Sequence, residues 1–132
     1  MTNSLLKYKD VAPFTADVGL ELVSLDEDRV VMALPDHPRF QNRKGDIHGG
    51  AAATLIDTTL GMAAALGYPE GTAASTLSLN ISYIGAARGR LLCTSRVQRR
   101  GKSIAFLAAD VTDAAGNLVA AATGNFKLYI PR

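Results

Sequence analysis

Between Gly49 and Leu66 the chain reads GGAAATLIDTTLGMAAAL, eighteen residues without a proline. Alanine and leucine favour helix, and the run stops at Gly-Tyr-Pro-Glu-Gly, residues 67–71. Apolar side chains go almost all the way round this helix, so it is expected to be buried on most sides. A chain of 132 residues suits one domain, residues 1–132, with one core. The cover for the helix must therefore come from the remaining residues of that domain. By length alone Ile47 to Leu66 could cross a bilayer. Asp57, His48 and three threonines make such a span costly.

The flanks supply strands. Gly19 to Leu25 alternates with Leu20 and Leu22 on one face, and Val30 to Leu34 with Val30, Met32 and Leu34 together. Asp26-Glu27-Asp28 is the turn between them. A short helical or irregular lead-in precedes them, and Pro35 to Asn42 is a proline-broken loop. After the helix the period becomes two. Leu77, Leu79, Ile81 and Tyr83 fall on one face, with Ser78, Asn80 and Ser82 on the other. Three more strands follow, at residues 89–100, 103–113 and 117–130, joined by Gly-containing turns that suit antiparallel hairpins. The expectation is two strands, a buried helix and a four-strand meander. A sheet of that size buries the helix best by curving around it, which makes an α+β domain with a central helix.

Composition excludes little and narrows much. With 48% apolar and 20% charged residues the chain reads as an ordinary soluble globular protein. A formal charge of +2 is too small to argue for general nucleic-acid binding. The lone Cys93 cannot form an internal disulfide, and the first residues show no basic-then-apolar signal pattern, so a cytoplasmic location is expected.

Asp57 is the residue the helix does not need for packing. Buried carboxylates are rare unless paired. Its helical neighbours Gly50, Ala53, Thr54, Gly61 and Ala64 are all small, so another backbone or a ligand is expected to approach that face. At the helix start, Gly49 and Gly50 present unpaired N–H groups where the dipole favours negative charge. A carbonyl oxygen placed there would be polarised as in an oxyanion hole. His48 and Asn42 add side chains able to hydrogen-bond a carbonyl or water. Gly49 and Asp57 lie eight residues apart, roughly 12 Å along a helix. One carbonyl cannot touch both groups of one helix. If both act on it they come from two chains, at an interface between antiparallel central helices of a two-fold dimer.

His-Gly-Gly-Ala-Ala-Ala-Thr-Leu-Ile-Asp, residues 48–57, resembles the HGGxxxxLxD pattern of hotdog-fold acyl-CoA thioesterases, most of all the phenylacetyl-CoA (PaaI-type) branch. The resemblance extends from Asn42 through residues 76–90 to the hairpin at 99–106. It implies a hotdog fold, with a curved antiparallel sheet of five to six strands around one long helix, assembled as dimers and often tetramers. It also implies hydrolysis of an aryl- or short/medium-chain acyl-CoA without metal or redox cofactor. Asp57 would be general base or nucleophile, the Gly49 N–H the oxyanion donor, and His48 and Asn42 holders of thioester or water. Gly50 would lie against the substrate. A hydroxyl across the dimer corresponds best to Thr76, with adjacent Ser75 the alternative.

Arg88, Arg90, Arg96, Arg99, Arg100 and Lys102 cluster on strand ends and one turn. Arg99, Arg100 and Lys102 are the candidates to meet coenzyme A phosphates, since cationic forks match phosphate oxygens. No G-x-S-x-G elbow, Walker loop or metal-ligand cluster is present, and His37 reads as a loop residue. Hotdog dehydratases pair their Asp and His differently. A non-catalytic acyl-CoA-binding hotdog protein would have no need of Asp57, and an acyl-carrier-protein thioesterase would share the same site.

Overall fold

The computed structural model describes residues 12–26 and 28–132; most of the expected lead-in, before residue 12, lies outside them. A short helix α1 (Pro13–Val18) starts on proline, whose fixed φ suits a first turn, and ends at left-handed Gly19. Strands β1 (Glu21–Leu25) and β2 (Val30–Leu34) form the first hairpin. Its turn is held by the Asp26 carboxylate, which accepts the amides of Asp28 and Arg29 at 2.9 and 2.8 Å. A single 3-10 turn (Pro38–Phe40) leads into the central helix α2 (Gly49–Leu66), which has the bounds expected from sequence. Strands β3 (Ala73–Tyr83), β4 (Leu91–Arg100), β5 (Ile104–Thr112) and β6 (Leu118–Tyr129) follow.

All six strands join one antiparallel sheet in the order β1-β2-β4-β5-β6-β3. The expected four-strand meander is therefore a three-strand one, and β3 stands at the far edge beside β6. Residues 84–90 are a connection across the end of the sheet, not a hairpin turn. The amides of Ile84 and Gly85 bond to Val119 O, Ala87 O accepts from Ile47 N at 2.8 Å, and Arg88 pairs with Asp46 at 2.8 Å. Alternation along a strand reports which face is buried. It carries no information on which strand lies alongside.

Leu55, Ile56 and Leu60 of α2 are fully buried against the sheet with Met32, Leu34, Leu107 and Phe126. Burial of each is worth about 1.5–3 kcal/mol, and Leu60→Ala would cost about 2–5 kcal/mol. Gly124 is where β6 yields to the helix. A Cβ there would stand 3.0 Å from the Phe126 ring and 3.3 Å from Leu60. The helix is open along one side. Ala53, Thr54, Asp57, Thr58 and Gly61 make a half-open stripe away from the sheet, while Ala64, at the same helical spacing, is fully buried.

Candidate active site

The loop before α2 is built around Asn42. Its side-chain oxygen accepts the amides of Lys44 (2.9 Å) and Asp46 (3.2 Å), so the carboxamide NH2 is the end left to meet a ligand. His48 is the N-cap of α2, and its Nδ1 accepts the Gly50 amide at 2.9 Å. Neutral His48 then carries its proton on Nε2, an exposed donor. The two glycine amides consequently differ. That of Gly50 is taken by the imidazole, while the residue itself stays exposed. A Cβ at Gly50 would stand 3.0 Å from His48 Nδ1. The Gly49 amide has no hydrogen-bond acceptor among the described residues.

Tyr83 completes this end, and no sequence signal marked it. Its hydroxyl donates to the Gly49 carbonyl at 2.8 Å. The peptide between Gly49 and Gly50 is thus held at both ends, by Tyr83 on its oxygen and His48 on its nitrogen. Asn42, Lys44, Gly49, Ala52 and Tyr83 are among the residues around a recess of about 370 Å³.

Two turns along the helix, the half-buried Asp57 carboxylate accepts the Thr76 hydroxyl at 2.7 Å. The hydroxyl that meets Asp57 is that of Thr76, not of Ser75. The sheet register slips between Thr76 and Ser78, where Thr76 faces Phe126 and Ser78 faces Asn125. Unbroken alternation from Leu79 and Ile81 would put Leu77 and Ser75 inward. The bulge instead turns Thr76 to the helix and leaves Leu77 56% exposed. Ser75 lies on the opposite, exposed face. Asp57 and Thr76 border a second recess of about 320 Å³ with Gly61, Met62, Phe126 and, from α1, Thr15. One chain therefore carries two separate recesses along the same helix.

The basic residues divide. Arg88, Arg90 and Arg96 pair with Asp46, Glu21 and Asp110 at 2.8, 3.2 and 2.6 Å. Arg100, expected at a phosphate, turns inward instead. Its Nη1 donates to the carbonyls of Ala63 (3.2 Å) and Ala64 (3.1 Å), and its guanidinium lies 5.9 Å from the Tyr68 ring centroid. It serves the orphan carbonyls at the end of α2, with Gly67 leaving space for it. Tyr68 is held there by its bond to Gly101 O at 2.6 Å. Arg99 and Lys102 remain exposed beside a recess of about 380 Å³ with Ser103 and Phe106. Burial pushes the Cys93 thiol up to about 12, which makes it an inert core residue. His37 is a loop residue as expected, capping the 3-10 turn through Arg39 N at 3.1 Å.

Comparison with known proteins agrees with this architecture. A family model described as a domain of unknown function (DUF4442) matches residues 5–130. Human acyl-coenzyme A thioesterase 13 is 32% identical over 104 residues, 76% of this chain and 74% of the relative. A Halobacterium salinarum protein carrying an esterase name is 32% identical over 133 residues, 92% of this chain and 88% of the relative. Among solved structures, the Escherichia coli PaaI protein superposes with a TM-score of 0.86 over 97% of this chain and 91% of its own, at 21% identity. A conserved Pseudomonas aeruginosa protein gives 0.84 at 32% identity, over 93% of this chain and 98% of its own. The chain belongs to the DUF4442 family and to the hotdog-fold thioesterases, and it is a thioester hydrolase.

Proposed function

We propose that this is a cytoplasmic acyl-CoA thioesterase, acting on an aryl- or short/medium-chain acyl-CoA at two equivalent sites in a two-fold dimer. The observation that carries the reading is the Thr76–Asp57 pair at 2.7 Å on the open stripe of α2, with an acceptor-free Gly49 amide at the same helix's start. These groups lie roughly 12 Å apart along the helix, too far to share one carbonyl. Antiparallel pairing of two central helices brings Gly49 of one chain to Asp57 of the other. The half-open stripe of small residues leaves room for that approach, and β3 offers a free sheet edge beside it. Further pairing of such dimers would give the tetramers that the resemblance implies.

In the proposed reaction the thioester oxygen takes the Gly49 N–H, aided by the Asn42 NH2 and His48 Nε2–H. Asp57, held by Thr76, takes a proton from water as it attacks the carbonyl carbon. The carbon–sulfur bond then breaks, and the leaving thiolate takes up a proton to give coenzyme A and the free acid. This chemistry calls for no metal or redox cofactor. Alternatively, Asp57 attacks directly to form an anhydride that water then opens. Single turnover in H2-18O separates the routes, because only the second leaves label in the Asp57 carboxylate.

The test is hydrolysis of a panel of acyl-CoAs by wild type, Asp57→Asn and Asp57→Ala. Loss of one positioned acid–base group predicts a fall in kcat of about 10²–10⁴-fold. Folded variants as active as wild type would refute the role of Asp57. A wild type that binds coenzyme A tightly yet cleaves nothing would point to a sensor, and a monomer with full activity would end the shared-site reading.

A further inference from the structure

Strand β3 reaches the central helix with two hydroxyls. Thr76 meets Asp57 at 2.7 Å, and Tyr83 meets the Gly49 carbonyl at 2.8 Å. They stand seven residues apart, an odd number, so an unbroken strand would point them to opposite faces. The extra residue between Thr76 and Ser78 restores the parity and turns both toward α2. One bulge thereby lets a single strand serve both the start and the middle of the helix.

The end of β3 is firmly seated. Tyr83 pairs with Ala120, and the next two amides, of Ile84 and Gly85, bond to Val119 O at 2.9 and 3.2 Å. From that seat the ring lies across the first turn of α2, where a Cβ on Gly49 would stand 3.4 Å from its Cζ. The peptide it holds is one that needs holding. Two successive glycines have little intrinsic preference for one backbone conformation, and the first turn of a helix lacks the amide bonds that secure later turns. His48 Nδ1 accepts the Gly50 amide of this same peptide at 2.9 Å, so the imidazole and the peptide are oriented together.

We infer that Tyr83 is a positioning residue for the hydrolysis: through the Gly49 carbonyl it fixes the direction of the acceptor-free Gly49 amide and, through Gly50, that of His48 Nε2. Its one hydroxyl proton is committed to the Gly49 carbonyl, so Tyr83 acts through the peptide and donates nothing to the thioester. This rests on the thioesterase reading above. It adds to Thr76 a second hydroxyl of β3 that aligns a reacting group without touching the substrate.

The experiment compares the full chain with Tyr83→Phe, which keeps the ring and removes the hydroxyl, and with Tyr129→Phe, the same change at an exposed tyrosine of β6. Two readouts are taken, steady-state kinetics on one acyl-CoA and amide exchange of Gly50 by NMR in the free protein. Tyr83 is exposed, so its variant should fold, and circular dichroism checks this. Outright loss of an oxyanion donor costs about 10²–10³-fold in kcat. Misdirecting one should cost part of that, about ten- to 100-fold, with KM little changed. The Gly50 amide should exchange about fivefold faster once the far end of its peptide is released. Tyr129→Phe should change neither readout. A folded Tyr83→Phe protein with wild-type kcat overturns the inference. So does a fall in kcat with unmoved Gly50 exchange, which would put the hydroxyl on the substrate itself. Either result with an active wild type sinks this inference alone, whereas a wild type inactive on every acyl-CoA sinks the thioesterase reading and this role with it.

Discussion

Replacing Thr76 by valine keeps the shape of the side chain and removes the hydroxyl that Asp57 accepts at 2.7 Å. Hydrogen bonds to an ionised group contribute about 1.5–3 kcal/mol when one partner is deleted. Thr76 is exposed in the single chain, so water moderates the loss there. The lower end of the range is the appropriate floor, about 1.5 kcal/mol, or roughly tenfold in kcat. If a partner chain dries the site, the loss moves toward the upper end, about 100-fold. The hydroxyl meets the carboxylate and not the thioester, so the loss should fall on kcat with KM little changed. Steady-state kinetics on one acyl-CoA, with circular dichroism to confirm folding, reads this out. Thr76→Ser should recover most of the activity. Ser75→Ala should lose none, because the bulge at Leu77 turns Ser75 outward. A folded Thr76→Val enzyme with wild-type kcat, or a larger loss from Ser75→Ala, would refute the positioning role and the bulge argument together.

Arg100→Met keeps the aliphatic stem but strips two helix carbonyls of a charged donor, which should cost about 2 kcal/mol, or roughly 5–10 °C in Tm. An unchanged Tm with a raised KM for acyl-CoA would return Arg100 to the phosphate site. Cys93 titrates at about 12 in the folded chain against 9.0 for the free thiol. The unfolded chain therefore loses this proton first. Its contribution to stability is complete below pH 9 and is lost between pH 9 and about 12, by about 1.4 kcal/mol per pH unit. Denaturant midpoints of wild type and Cys93→Ala should diverge in slope over that window, and parallel slopes would contradict the burial assigned to the thiol.

What the residues declared locally, they declared well. The central helix is legible at its Gly49 start and near its Leu66 end because the paired glycines and the proline-bearing stop are local signals. The alternation of Val30, Met32 and Leu34 was equally clear, and all three are fully buried. Strand order was not legible, because β3 pairs with a strand far along the chain, and periodicity is blind to partners. Thr76 and Ser75 could not be separated because one extra residue in the strand inverts every face after it. Arg100 stood in a run of similar basic residues. Only the nearby helix end distinguishes it from Arg99, and that nearness arises from tertiary packing. Tyr83 reads locally as one more residue on the face of Leu79 and Ile81, since nothing local brings a strand's last residue to a helix's first carbonyl.

The placement of β3 at the sheet's far edge also sets an order of assembly. Ala73 pairs with Tyr129 and Tyr83 with Ala120, so β3 has no sheet neighbour until β6 has been made. During synthesis Asp57 and Thr76 emerge early, yet the hydrogen bond between them must wait for β6 to seat the strand. Long-range pairing of this kind carries a large loop-closure cost and forms late. Pulse-labelled hydrogen exchange should show β3 amides protected after those of β4 and β5, and early protection of β3 would contradict this order. The site would thus be completed only once β6 has left the ribosome.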